Sequence, residues 1–230
     1  MSFFDATKEF DAAIGEIDYL LTQAELSQSI PIVLEIYIKA SIVLLTAKIE
    51  SFSENILEEF VDKLAEKKLK YKKLPKQLKI HSTSFLLKDL IGSKPFSAKS
   101  NAISKLVEAA SLWNDDEVFS ALSVNYKFDY GKHGSSEFKN FFNRVGIENI
   151  CDKCRILTDN ESMLTGLPQK KDISGDIDSL TNIRNNIIHT DATPSSITYQ
   201  QVRGYRENLW EFCYLIDLHL QIELERLTNS

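Results

Sequence analysis

One short run of the chain combines residue types that can do chemistry at a spacing a helix can use. Arg184, Asn185 and His189 fall within Ile183–Asp191, at the end of an amphipathic pattern and beside a loop that contains Pro194. Asn185 and His189 are four apart and share one helical face, with Arg184 one position round. Histidine is the side chain that changes charge nearest neutral pH, and a helix C-terminus favours its protonated form. A guanidinium offers a planar fork of donors that fits carboxylate or phosphate oxygens. This polar cluster interrupts an otherwise apolar helix. As a bare pattern Arg-x4-His is frequent, so the spacing by itself identifies nothing.

Other candidate groups are weaker. Cys151 and Cys154 form a lone C-x-x-C, for which only Cys213 and four scattered histidines could complete a zinc site. The strand-to-helix context of a thioredoxin-like motif is missing too, so these residues are expected to be packing cysteines. Gly131 to Ser136 is glycine- and serine-rich but lacks the order and the preceding strand of a phosphate-binding loop. His81 and His219 have no evident partners. No nucleophile elbow and no helix-borne zinc motif is present. No metal and no cofactor is expected.

Composition bounds the remaining possibilities. The chain has 230 residues, 43% hydrophobic and 26% charged, with 8 glycines and 5 prolines. That excludes collagen-like and mostly disordered chains and disfavours a sandwich or barrel, whose many turns consume glycine. Three cysteines fit a reducing compartment better than a disulfide framework. No basic region followed by an apolar stretch opens the sequence, and the apolar run Ile30–Leu45 is short and broken by Glu35 and Lys39. A soluble, cytoplasmic protein with no membrane partner is expected. The net charge of −6 argues against a general nucleic-acid coat. The charge is uneven, however: Lys63–Lys79 holds eight lysines and one glutamate, a local +7 that leaves −13 elsewhere. Such a segment can focus a polyanion, or can be the solvated end of a long helix.

The elements that must position the cluster are helical. Apolar residues recur at Phe10, Ile14, Ile17, Leu21 and Ala24, predicting a helix over about Phe4 to Ser27. Pro31 can open a second helix, running to about Leu69, because its missing N–H is not needed in a first turn. Ile42, Leu45, Ile49, Phe52, Ile56 and Phe60 form its core stripe. The opposite side is also apolar through Ile36, Val43 and Ala47 before it turns into Glu50 and Glu54, so a second surface meets another helix or another subunit. Pro75 and Gly92–Pro95 punctuate the middle. Helices are predicted near Ile103–Leu112 and Glu137–Val145, the latter stopping at Gly146, with a loop from Asn125 to Ser136 between them. Two more are predicted over Asp176–His189 and Thr198–Leu227, flanking a loop at Thr190–Ser196. No alternating strand pattern of any length is visible. The expectation is one all-α domain over residues 1–230, a bundle with an elaborated middle.

Leu180 to Asp191, with Arg184, Asn185 and His189, resembles the signature of HEPN domains, in which Arg, a polar residue, apolar positions and His occur late in a helical bundle. Ile42 to Phe52, with Glu50 ahead of a small residue and an aromatic, resembles the early long helix of HEPN ribonucleases of the RiboL-PSP and related kinds. Phe138 to Gly146 resembles their mid-domain helix, less specifically. One departure is Asp191. HEPN toxins paired with nucleotidyltransferase antitoxins often carry a tyrosine at this place, so control by modification of that tyrosine does not carry over.

The resemblance implies a metal-independent endoribonuclease that acts as a homodimer on an RNA substrate, of the kind found among toxins and antiviral defence proteins, with an antitoxin or regulatory protein as a further partner. On that reading His189 is the general acid/base and Arg184 the clamp on the phosphate in the transition state. Asn185 is an orienting or phosphate-contacting donor. Glu50 pairs with or orients Arg184, or is only an exposed helical carboxylate. One histidine does not readily serve as base on one side and acid on the other, and a two-fold dimer would bring two His189 side chains together. The alternative is a HEPN domain that binds RNA, a nucleotide or a partner protein without cutting.

Overall fold

The computed structural model describes residues 3–92, 103, 105–107, 109–118, 124–128, 134–161, 168–191 and 197–229. Its frame is a pair of long antiparallel helices closed by a third. α1 (Asp5–Leu26) and α2 (Pro31–Glu66) are joined by a short turn, with Pro31 in the first turn of α2. The predicted apolar stripes of both are buried, from Phe10 to Ala24 on α1 and from Ile42 to Phe60 on α2. Each such aliphatic or aromatic side chain contributes roughly 1.5–3 kcal/mol on burial. Phe10 meets Phe52 at 5.2 Å between ring centroids, and Glu16 meets Lys48 at 3.1 Å, which fixes the antiparallel register.

α7 (Tyr199–Asn229) runs antiparallel to α1 and is tied to it at heptad intervals. The Phe4 N–H donates to buried Asp217, Trp210 Nε1 to Asp11, Arg206 to Asp18 and Arg203 to Glu25, at 2.9, 2.8, 2.5 and 2.9 Å. Positions 4, 11, 18 and 25 are seven apart, so one edge of α1 carries the whole ladder. Asp217 also accepts from Thr7 and Gln221, which satisfies its buried carboxylate.

The middle of the chain holds shorter elements. After a 3-10 turn at Tyr71–Lys73 comes α3 (Lys76–Gly92), a helix not foreseen from the sequence. Its apolar residues Leu78, Ile80, Phe85, Leu86 and Leu87 lie all round the axis, and Leu78 and Leu86 are buried while Ile80 and Leu87 are exposed, so no single stripe announced it. The helical residues described within 103–111 agree with the expected helix there. α4 (Ser135–Asn143) begins two residues before its predicted start and gives way to a turn at Gly146, whose φ of 87° suits glycine and where a Cβ would overlap Pro75. A single turn, α5 (Ile150–Lys153), leads to a hairpin of β1 (Ile156–Glu161) and β2 (Pro168–Lys171), paired antiparallel with Ile156 opposite Lys171. This hairpin corrects the expectation that no strand is present. It carries few apolar residues, so alternation could not reveal it. α6 (Ser174–Thr190) follows and packs on α2. The class is all-α, as expected, and among the described residues no helix is long and apolar enough to cross a membrane.

Candidate functional site

α6 carries three of the four candidate residues, and its packing on α2 decides how they are presented. Lys39 of α2 bonds Asp191 just past the end of α6, while Thr46, Ile49 and Glu50 line one cleft with Ile177, Leu180 and Thr181. The two helices therefore run antiparallel. Lys39 to Ile49 spans about 15 Å and Asp191 to Leu180 about 16 Å at 1.5 Å per residue, so the levels match.

α6 enters this pairing from a well-fixed start. Asp178 accepts the Ser135 N–H at 2.7 Å and its hydroxyl at 2.8 Å, which caps α4 from α6. Gly134 has φ 95°, and a Cβ there would stand 3.0 Å from Asp178 Oδ1. Asp176, buried, takes Lys171 Nζ at 2.7 and 2.6 Å and Asn208 at 2.7 Å. Ile177, Leu180 and Ile183 are buried, and from there the helix rises out of the core. Arg184 and Asn185 are half-buried, and His189 is exposed.

Arg184 Nη1 donates to Asn185 Oδ1 at 3.1 Å. His189 lies five residues on, about 7.5 Å higher along the axis. Thr190 caps this end by donating its hydroxyl to the Asn186 oxygen at 2.7 Å, and Asp191, with φ 50°, turns the chain away. Glu50 is half-buried at the level of Leu180 and Thr181. Along the axis it is about 6 Å from Arg184 and about 13 Å from His189. By this count it stands nearer the arginine end of the cluster than the histidine end.

The lysine-rich segment is remote from these residues. Lys67 is 17 positions beyond Glu50 at the end of the same helix, about 25 Å along its axis. Among the described residues, Lys63 pairs with Glu59 at 3.1 Å, Lys70 with Asp116 at 3.6 Å and Lys79 with Asp115 at 3.5 Å. Lys79 also lies 5.2 Å from the centre of the Trp113 ring. The pairs from Lys70 and Lys79 hold the 113–118 segment against the turn after α2 and against α3, a structural use of charge.

Cys151, Cys154 and Cys213 are all free and buried. Burial pushes the Cys151 thiol up to about 11, Cys154 up to about 12 and Cys213 well above its usual value. Neutral, water-excluded thiols are poor nucleophiles and poor metal ligands. Residues 131–133 of the glycine-rich run lie outside the described residues, while Gly134 to Ser136 form the cap and first turn of α4.

Lys39 was missed at the sequence level as a neighbour of the cluster. Its signal was an ammonium inside an apolar run, four residues after Glu35. Exposed apolar side chains also gather at this end: Ile32 (69%) and Ile36 (57%) on α2 and Ile188 (49%) on α6.

A family model described as RiboL-PSP-HEPN matches residues 8–221. No curated protein and no solved structure matches the chain.

Proposed function

Because this chain belongs to the RiboL-PSP-HEPN family, we propose that it is a metal-independent endoribonuclease whose chemistry resides at the emerging end of α6. HEPN domains support RNA-related and nuclease roles in general. The observation that carries the finer reading is the placement of an exposed His189 beyond a half-buried, mutually bonded Arg184–Asn185 pair on one helix.

RNA supplies its own nucleophile. A base removes the 2′-hydroxyl proton, O2′ attacks the adjacent phosphorus, and the P–O5′ bond breaks as an acid protonates the departing 5′ oxygen. The products are a 2′,3′-cyclic phosphate and a 5′-hydroxyl. His189 serves the proton transfers. Arg184 clamps the non-bridging oxygens and binds them more strongly as charge builds in the transition state. Asn185 orients the guanidinium, and Glu50 supports it from the α2 side. Base and acid work on opposite sides of the phosphate call for two histidines, which a homodimer across the α2–α6 end supplies; exposed Ile32, Ile36 and Ile188 support that face. A cytoplasmic toxin or antiviral effector held by an antitoxin or regulatory partner is the setting this chemistry fits.

The test is incubation of the purified protein with end-labelled tRNA and mRNA in excess EDTA, beside His189→Ala and Arg184→Ala. Cleavage to 2′,3′-cyclic ends by the wild type alone is expected, with RNA binding kept in both variants. Binding without cleavage by the wild-type dimer would move the reading to a non-catalytic RNA-binding HEPN domain. Expression of the wild type should slow host growth while His189→Ala does not, and equal toxicity of the two would sink the toxin reading.

A further inference from the structure

Lys39 lies in the apolar first half of α2, and its ammonium reaches across to the end of α6. It donates to the Asp191 main-chain oxygen at 2.7 Å and to Asp191 Oδ1 at 2.9 Å, and it lies 3.1 Å from Glu35 Oε1. Two of the ammonium's three hydrogens go to Asp191, and the Glu35 carboxylate lies at ion-pair distance. The side chain is only 19% exposed. Its hydrogen bonds to Asp191 first, and then to Glu35, hold its pKa above the ordinary lysine value. The ammonium bridges α2 to the end of α6, where the Asp191 side chain itself is 91% exposed.

What it tethers is the end of α6. Asp191 is the first residue past the helix, in the left-handed region, with its N–H on the Ile187 oxygen at 3.0 Å. The Asp191 carbonyl and carboxylate both reach Lys39 on α2, so a backbone atom and a side chain are held by one ammonium. Beyond Ile187 the helix has left the core, and Ile188, His189 and Thr190 are exposed. Burial therefore does little to fix this last turn. His189 precedes the anchor by two residues, about 3 Å along the axis.

We propose that Lys39 is a positioning residue for His189, setting the height and rotation of the last turn of α6 on α2 and so the imidazole's place relative to Arg184 and the scissile phosphate. This rests on the cleavage reading above. Catalytic groups must be held within about 0.5 Å of the productive geometry, and a displacement of about 1 Å can cost 100-fold in rate.

The experiment compares wild type, Lys39→Met, Lys39→Arg and Asp191→Asn by steady-state cleavage and by amide hydrogen exchange. Lys39→Met keeps the stem and removes the donors. It should lower kcat by about 10- to 100-fold while KM stays within about threefold. Lys39→Arg should recover most of that loss, since a guanidinium can still donate to a carbonyl and a carboxylate. Asp191→Asn tolerates the left-handed backbone and keeps the carbonyl, so its loss should be smaller. The amides of 188–191 should exchange faster in Lys39→Met, with protection along α1 and α7 unchanged. Wild-type kcat in Lys39→Met, a loss confined to KM, or unchanged exchange at 188–191 would each overturn the assignment. A wild type that does not cut RNA would instead bring down the cleavage reading, and the exchange comparison would then decide the tether alone.

Discussion

The Arg184 guanidinium donates to the side-chain oxygen of its neighbour Asn185 at 3.1 Å, which ties the arginine to the next position round the helix. At about 100° per residue, Arg184 and His189 project about 140° apart around α6, while Asn185 and His189 are only about 40° apart. The bond links the guanidinium to the face that Asn185 and His189 share. Asn185→Ala is therefore expected to lower kcat about tenfold, the equivalent of one hydrogen bond to a charged group at about 1.5 kcal/mol, with folding and KM little changed. Initial rates across a range of RNA concentrations check this. A rise in KM at constant kcat would make Asn185 a binding residue instead.

Association should be measurable directly. Two chains of 26.2 kDa predict a particle of about 52 kDa by sedimentation or light scattering. Ile36→Asp places a charge on the exposed apolar end of α2 and should yield a folded monomer that binds RNA but no longer cuts it. A wild type that is strictly monomeric and active at micromolar concentration would refute the two-histidine mechanism.

Gly134 and Asp178 form a stability test independent of activity. Gly134→Ala forces a methyl group into a positive-φ position and toward Asp178 Oδ1, so a loss of about 1–2 kcal/mol is expected. Asp178→Ala removes both bonds to Ser135 and should cost a similar amount. Because they act on one junction, the double variant should lose less than the sum in urea unfolding.

His219 predicts a pH dependence with a definite sign. Burial, and next Lys153 nearby, hold its pKa below the usual histidine value, with Glu223 opposing, and its Nε2 is buried without a hydrogen-bond partner. The unfolded chain therefore binds the proton more readily than the folded one, so this group's contribution to stability rises with pH. It is fully present above the unfolded pKa of about 6.5 and fades as the pH falls through and below it. The drop in urea midpoint between pH 7 and pH 5 should shrink in His219→Gln. An identical drop in both proteins would assign the acid sensitivity to other groups.

The long helices could be read from the sequence because one face of each meets the core, and a 3.6-residue period survives when burial is one-sided. α1, α2, α6 and α7 all have such faces, and their predicted bounds hold to within three residues at each end. α3 fails that condition, since its apolar residues are spread around the axis and several of them, Ile80, Phe85 and Leu87, are exposed. The β hairpin fails for another reason: Ile156 is buried and Leu157 exposed, and the paired strand is Pro168 to Lys171, so cross-strand bonding rather than an apolar face defines it. For the proposed site, it is the family resemblance that singles out Arg184, Asn185 and His189, which spacing alone does not. The relation of Glu50 to Arg184, and of Lys39 to Asp191, depends on how α2 and α6 slide past each other, a tertiary quantity that local pattern does not carry.

The exposed last turn of α6 has a consequence for how the protein fails on warming. Its neighbours inside the bundle are secured by buried side chains, but residues 188–190 are held mainly by backbone bonds and by the anchor at Asp191. Such ends open at a fraction of the free energy of global unfolding. As temperature rises, cleavage should fade while helical ellipticity still reports an intact bundle, and cooling should restore it without any refolding of the core.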